Sequence, residues 1–323
     1  AWLVATIDAT ASARSLRALI VQHNPTLTEK RSEHPAPRVP MFERARAMTR
    51  AANREGIDVI LWSEGALPFF YVPDEVAAPG QAPIAGRANA LLRRITAEAD
   101  AFAAELAVPF LFGSLRRVDA QWRERTRNSA VLMRPGQPRW VYDKRILVPF
   151  GERMPGRDLI PGLAEAIPGV SDIGEGDGDA NVVVAGVNVG LSICYEALFA
   201  DHVFTTLADS DVFVNLTDDV WFGQTNAPEL HLMVQSARSV EMRRPLLRAT
   251  ATGISASVDA VGRVTARSGV WKAEVLRVEA DVRALNSPFR AFGTWPARIL
   301  AALSMLGLAL AVWLRRRQAA PIA

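Results

Sequence analysis

The sequence predicts one layered α/β domain followed by a single membrane-crossing helix, and three observations carry that prediction. The chain has 323 residues, of which 50% are hydrophobic and 22% charged. That is enough to bury a large core, and it excludes wholesale disorder, collagen-like repeats and coiled coil. Short apolar runs alternate with amphipathic stretches in one long unit, as expected of strands and helices stacked in layers. Near the end, Ile299 to Leu314 carries no charge, and Arg315, Arg316 and Arg317 follow directly.

LRALIVQ (Leu16 to Gln22) reads as a strand. Phe42 to Gly56 follows as a helix with apolar residues at Phe42, Ala45, Met48 and Ala52. Ile57 to Trp62 is a buried strand, Asn89 to Ala107 a helix, and Val108 to Ser114 another strand. Ser129 to Met133 and Arg139 to Asp143 read as antiparallel strands. Pro149 to Ala180 is loop-like; its run GEGDGD (Gly174 to Asp179) lacks the spacing and terminal glutamate of a calcium loop and reads as a solvated hairpin or loop. Val182 to Cys194 is an apolar strand, and the segment from Tyr195 to Ala208 a helix. Asp211 to Thr217 is a strand, Pro228 to Arg243 a helix, and further strands lie around Leu246 and from Ile254 to Val258. No internal repeat is visible in the sequence.

Extended back to Trp295, the terminal run reaches the roughly 20 residues that cross a hydrocarbon core of about 30 Å. Arg298 lies one turn inside and can snorkel, and Trp295 and Trp313 lie near the two ends, as interfacial aromatics do. By the positive-inside rule the arginines place the C-terminus in the cytoplasm and the body outside it. The opening AWLVATI is too short for a signal-peptide core, so residues 1–15 read as a leader or the end of an upstream apolar helix. The expected division is then a catalytic domain over 16–290, a transmembrane helix over 295–314 and a cytoplasmic tail over 315–323.

A net charge of +3 is too small to argue for nucleic acid as a partner. One cysteine excludes an internal disulfide and any multi-thiolate metal site. Only three of the 37 basic residues are lysine, namely Lys30, Lys144 and Lys272. In a chain that writes arginine almost everywhere, a retained lysine marks a place where a compact ammonium is required.

Cys194 ends an apolar strand and begins a turn, where helix N–H groups favour thiolate and can hold an oxyanion. A cysteine nucleophile needs a base. His23, His34, His202 and His231 are available, but no cysteine-protease signature surrounds them. Glu64, directly past the apolar strand IDVILW, is the better candidate, because partial burial raises a carboxyl toward neutrality. Lys144, at the end of WVYDK, can neutralise a thiolate and stabilise a tetrahedral oxyanion. The three form one set of base, oxyanion stabiliser and nucleophile.

LWSEGALP, YDKRILVPFGE, ICYE and NLTDDVWFG resemble the nitrilase (carbon-nitrogen hydrolase) superfamily, whose members use a Glu-Lys-Cys triad on an α-β-β-α sandwich. Within it, KRILVPFGERMPGR (Lys144 to Arg157), the run from His231 to Ser255, and SPFRAFGTWPARIL before the terminal span are similar to the apolipoprotein N-acyltransferases, membrane enzymes of bacterial lipoprotein maturation. The resemblance runs from about Leu16 to Arg317. It implies a nitrilase-like sandwich followed by a transmembrane helix, with Glu64 as general base, Lys144 as oxyanion stabiliser and Cys194 as the acylated nucleophile. It further implies that Glu152 orients the lysine or the incoming amine, that Glu196 is an acidic position beside the nucleophile, and that Tyr195 lines the acyl site. The implied partners are a phospholipid acyl donor, a diacylglyceryl-modified prolipoprotein acceptor and the bacterial inner membrane, with no metal or organic cofactor. The chain departs from that pattern at Asp218, where asparagine is usual, at Val220 and Ala251, and in lacking a tryptophan after VQHNP. The family's N-terminal bundle of membrane helices does not precede the catalytic region in this sequence, which reads either as the back part of a longer protein or as a shortened relative with one anchor. A membrane-tethered amidase that passes the acyl group to water is the alternative enzyme. A silent binding module on the same scaffold is the non-enzymatic one.

Overall fold

The computed structural model describes residues 14–32, 36–67, 70–71, 87–118, 125–156, 159, 173–283 and 285–318. Most of the expected leader, His34, Arg157 and the end of the tail lie outside these residues. The first half contains β1 (Arg14–Gln22), a capped turn of helix α1 (Leu27–Arg31), α2 (Val39–Ala51), β2 (Val59–Trp62), α3 (Arg87–Leu106), β3 (Phe110–Arg116), β4 (Arg127–Met133) and β5 (Trp140–Asp143). The second half contains β6 (Asn181–Val184), β7 (Val187–Ile193), α4 (Ala200–Thr206), β8 (Val212–Thr217), α5 (Ala227–Met242), β9 (Leu246–Thr250), β10 (Ala256–Val258), β11 (Val264–Arg267) and β12 (Glu274–Val282). The short α6 (Pro288–Phe292) then leads into α7 (Trp295–Gln318).

The strands form two six-stranded sheets, ordered β12-β1-β2-β3-β4-β5 and β11-β10-β9-β8-β7-β6. Each has three parallel strands at its heart, β1, β2 and β3 in one and β7, β8 and β9 in the other, with antiparallel strands on both sides. Alternation along each strand decides which layer a residue joins. In β1, Leu16, Ala18 and Ile20 meet the second sheet, among them Val189, Leu191 and Leu216, while Leu19 and Val21 face α2 and α3. Val203 and Leu207 near α4, and Leu232 and Met242 of α5, cover the other side of the second sheet. The result is an α-β-β-α sandwich.

The outer layer on the first sheet is fastened by aromatics. Fully buried Trp62 meets Phe110 edge-on at 4.8 Å and Phe42 at 6.0 Å, and its indole N–H donates to Thr49 Oγ1 at 3.0 Å. Each such pair contributes roughly 0.5–1.5 kcal/mol beyond its area. The strand that carries the turn of Glu64 is therefore rigid.

Three sequence expectations change. Val182 to Cys194 is a hairpin rather than one strand, because Ala185 and Gly186 both take positive φ in a two-residue turn between β6 and β7. The helix expected after Cys194 breaks at extended Phe199, leaving a 3-10 turn (Cys194–Leu198) and then α4. The GEGDGD run is packed rather than solvated along its glycines. Gly176 N–H donates to Lys144 O at 2.8 Å, and a Cβ on Gly176 would stand 2.1 Å from Asp143 O. Within α7, Trp295–Arg315 is long and apolar enough, by length and composition, to cross a membrane, with a mean hydropathy of 2.0 and no burial against the domain.

Candidate active site

The site lies where the carboxyl ends of the central strands of both sheets meet. Glu64 stands two residues beyond β2 on a turn laid over Gly113 of β3. Gly113 N–H donates to Ser63 O at 3.1 Å, and Gly113 O accepts from Ala66 N–H at 2.9 Å. A Cβ on Gly113 would lie 2.5 Å from Glu64 Cα, so the turn closes only over glycine.

Lys144 follows β5 and is 1% exposed. Its ammonium reaches Glu152 Oε1 at 2.9 Å and Glu64 Oε1 at 3.3 Å. Asn128 Nδ2 bridges the same two oxygens, at 2.7 Å to Glu64 and 2.8 Å to Glu152. Val148 N–H donates to Glu152 Oε2 at 2.9 Å, which ties the VPFGE loop to the site. Sequence reasoning missed Asn128: nothing in NSAVLM marks its first residue as more than a strand residue.

Cys194 begins the 3-10 turn with a left-handed backbone, φ 50, which is uncommon for a residue with a side chain. Glu196 holds that turn in place. Completely buried, it accepts hydrogen bonds from Ile193 N–H at 2.7 Å, Arg145 N–H at 2.6 Å, Ile146 N–H at 3.2 Å and Tyr142 O–H at 2.9 Å. It thereby fastens the nucleophile turn to the two residues after Lys144. Tyr195 packs edge-on against Phe199 at 4.9 Å.

Beneath Cys194 runs a buried polar chain. Asn215 Nδ2 donates to Cys194 O at 3.4 Å, and Asn215 Oδ1 accepts from Gln235 Nε2 at 3.0 Å. Gln235 Nε2 also meets His231 Nε2 at 2.9 Å, and His231 Nδ1 meets Asp219 Oδ1 at 2.9 Å. Asp219 Oδ2 accepts from Arg248 Nη2 at 2.6 Å, and Arg248 is fully buried. An amide donor at Nε2 and a carboxylate at Nδ1 require neutral His231 with its proton on Nδ1. Gly253 makes room here, since a Cβ on it would stand 1.9 Å from Asp219 Oδ2.

The other described histidines stay apart from this set. His23 is buried with no hydrogen-bond partner for its ring, and burial drives its pKa well below the usual value. His202 Nε2 lies 3.8 Å from Glu196 Oε1, and burial lowers its pKa to about 4. Lys30 of α1, by contrast, is in the site: its ammonium pairs with Asp218 Oδ2 at 2.7 Å and donates to Gly65 O at 2.8 Å. The scarcity of lysine was the signal that could have found it.

Burial raises the Glu64 carboxyl, with Glu152 and Asp218 adding to the effect and Lys144 and Asn128 opposing it. Burial also works against the Lys144 ammonium, but the negative charge it shares with Glu64, Cys194 and Glu152 prevails and raises its pKa. The Cys194 thiol is raised, by burial first and the Glu64 charge second, against the pull of Lys144 and of the Thr217 hydroxyl. These mutual effects place the three groups in one electrostatic unit. At rest it holds a neutral thiol and a charged ammonium, with a carboxyl tuned toward neutrality. Burial likewise raises Glu196, against the pull of its N–H donors.

Exposed apolar side chains lie on the loops that carry these residues. Phe150 of the VPFGE loop is 64% exposed, and Trp221, two residues past Asp219, is 59% exposed. The Arg31 guanidinium sits 6.0 Å above the Trp221 ring.

Residues 17–287 match the family model described as carbon-nitrogen hydrolase. Among curated proteins the chain is similar to the apolipoprotein N-acyltransferase of Vibrio parahaemolyticus serotype O3:K6, 33% identical over 180 residues, covering 55% of this chain and 35% of that one. It is similar also to the apolipoprotein N-acyltransferase of Azotobacter vinelandii, 30% identical over 271 residues, covering 82% and 48%. The chain thus spans half or less of the length of these relatives. Among solved structures it resembles a carbon-nitrogen hydrolase from Helicobacter pylori G27 with a TM-score of 0.57 and 15% identity, over 83% of this chain and 89% of that one. That likeness establishes the nitrilase fold implied by the motifs. With five-sixths of its length under the family model and the sandwich to match, the chain belongs to the carbon-nitrogen hydrolase family.

Proposed function

We propose that this chain is the catalytic part of an N-acyltransferase that moves a fatty acyl group from a phospholipid, through a thioester on Cys194, to the α-amine of a diacylglyceryl-cysteine at a lipoprotein N-terminus. The observation that carries the reading is the placement of the Lys144 ammonium against Glu64 and Glu152, with Glu196 fastening the Cys194 turn to the residues that follow Lys144. The names of its relatives, the apolar helix α7 and the exposed Phe150 and Trp221 support lipid-borne substrates.

The resting thiol needs a base, and the Glu64 carboxylate takes its proton. The thiolate attacks the ester carbonyl carbon, and the oxyanion forms opposite Lys144. When the C–O bond breaks, protonated Glu64 returns its proton to the leaving alkoxide, and the lysophospholipid departs. A neutral α-amine then attacks the thioester and gives its proton to Glu64; the C–S bond breaks and Cys194 is restored as a thiol. Splitting one transfer into two covalent steps lets two bilayer-bound substrates meet one site in turn. In this reading Glu152 and Asn128 hold the lysine and the base in register, and Glu196 acts on the nucleophile turn rather than on substrate. The catalytic domain, residues 16–290, stands outside the cytoplasm on the inner membrane, and the span over 295–314 delivers the tail to the cytoplasm.

Intact mass spectrometry after incubation with phosphatidylethanolamine tests this. The expected result is a gain of one acyl chain, removed by neutral hydroxylamine, absent in Cys194→Ala, and transferred to a diacylglyceryl-cysteine peptide on its addition. An adduct that is discharged equally by water, with no acylated peptide, would turn the reading to the amidase. No adduct at all would overturn the thioester step.

A further inference from the structure

We propose that Lys30 is a positioning residue of this site, which with Asp218 clamps the turn carrying Glu64 onto the end of β8 and so joins the base to the nucleophile's side of the sandwich. The inference rests on the reading of Glu64 as base. Lys30 is 9% exposed and its ammonium has three oxygen partners: Asp218 Oδ2 at 2.7 Å, Gly65 O at 2.8 Å and Glu64 O at 3.5 Å. Two of these belong to the Glu64 turn beyond the first sheet. The third lies at the end of β8 in the second sheet, next to Asp219. No other ion pair among the described residues joins these two strand ends.

The surroundings are shaped for this contact. Gly65 takes φ +57, and a Cβ there would stand 3.2 Å from Lys30 Nζ, so glycine both permits the turn and leaves room for the ammonium. Lys30 sits on the five-residue α1, which is too short to hold itself. A full capping box between Thr26 and Glu29 closes it, and Arg44 of α2 grips Glu29 Oε2 at 3.0 Å and His23 O at 2.7 Å. An ammonium directs three donors pyramidally from one compact atom, whereas a guanidinium spreads its donors in a wider plane. That accounts for lysine here in a chain that otherwise prefers arginine. The same pair explains Asp218: its charge, where the resembling family has a neutral asparagine, is matched by the buried cation.

The pair also sets the charge that Glu64 meets. Glu64 faces Lys144, Glu152, Asp218 and the Cys194 thiol, and Asp218 is among the groups that raise it. Removing either partner leaves the other's charge unbalanced, with opposite signs for the base.

The test follows alkylation of Cys194 by iodoacetamide against pH in the detergent-solubilised chain, which needs no lipid substrate. The Glu64→Gln variant first identifies the limb of the profile that reports the base. Asp218→Asn should move that limb to lower pH and Lys30→Met to higher pH, each by about 0.5–1 unit. The double variant Lys30→Met/Asp218→Asn, which buries no lone charge, should return the midpoint to the wild-type position while alkylating more slowly at the plateau, because the turn is no longer gripped. Singles with unmoved midpoints and a double with the wild-type plateau would overturn the proposal, even if melting temperatures fall. If Glu64→Gln removed no limb, leaving only the thiol's own ionisation in both proteins, the base reading itself would be overturned, and the clamp with it.

Discussion

Glu64 and Asp219 occupy the same place in the two sheets. Each is a carboxylate two residues beyond the central parallel strand, the largely buried Glu64 after β2 and the fully buried Asp219 after β8. Each faces a buried cation, and each needs a glycine on a neighbouring segment, Gly113 or Gly253. Their pKa values nevertheless move in opposite directions: burial raises that of Glu64, whereas for Asp219 the Arg248 charge and the His231 contact overcome burial and lower it. The difference lies in what else the cation serves. Lys144 is shared between Glu64 and Glu152, so neither carboxylate is fully compensated. Among the described residues Arg248 pairs with no second carboxylate, and its charge favours the Asp219 anion. In the proposed reading one strand end serves proton transfer and the other anchorage.

Exchanging each carboxylate for its amide separates the two roles. Glu64→Gln should cost about 10²–10⁴-fold in acyl transfer, the size of a lost general base, with little loss of stability. Its check is single-turnover transfer alongside thermal unfolding. Asp219→Asn should do the reverse in stability, costing about 3–5 kcal/mol because Arg248 is left as an uncompensated buried charge. If Glu64→Gln proved the more destabilising of the two, the contrast would collapse. Smaller effects come from the glycines. Gly113→Ala and Gly253→Ala each force a methyl group into occupied space and should cost about 1–3 kcal/mol. Gly113→Ala should also slow thiol alkylation, since the atom it meets belongs to Glu64's own backbone.

The smallest effect is a pH dependence of opposite sign. Asp219, lowered in the folded state, contributes stability that is full above the ordinary aspartate range near about 3.9 and is lost as pH falls through its folded value. Glu64, raised in the folded state, penalises folding once pH exceeds about 4.3, and the penalty is complete above its folded value. Unfolding midpoints from pH 3 to 8 should therefore show a flatter acid limb for Asp219→Asn and a slight gain near neutrality for Glu64→Gln.

The same contrast marks what the sequence made legible. VILW (Val59 to Trp62) followed two residues on by Glu64 is an apolar strand meeting a carboxylate, and that conflict is visible in one dimension. Lys144 and Cys194 were visible for a similar reason, each being rare in the composition and placed at a strand end. Asp219 was read only as part of a motif, because its meaning depends on Arg248 and His231, far along the chain and unremarkable where they stand. The β6–β7 turn was hidden because alanine, at Ala185, occupies a left-handed position that normally announces itself with glycine or asparagine. β11 and β12 drew no assignment, since a strand with one exposed face carries a weak apolar signal; β12 is half-exposed along much of its length. Glu196 looked like a partner in the chemistry from its neighbour in sequence. Its four donors, from two separate segments, make it a fastening.

The raised pKa of Cys194 has a further consequence, in redox terms. Oxidants and disulfides attack the thiolate, and a cysteine that keeps its proton at rest is a slow target for both. Outside the cytoplasm, where the proposed orientation puts this domain, no glutathione pool would repair a sulfenic acid or a mixed disulfide. A sole nucleophile there survives by being unreactive until a substrate is seated and Glu64 takes the proton. In the proposed reading, the burial that makes catalysis depend on a base also preserves the only cysteine between turnovers.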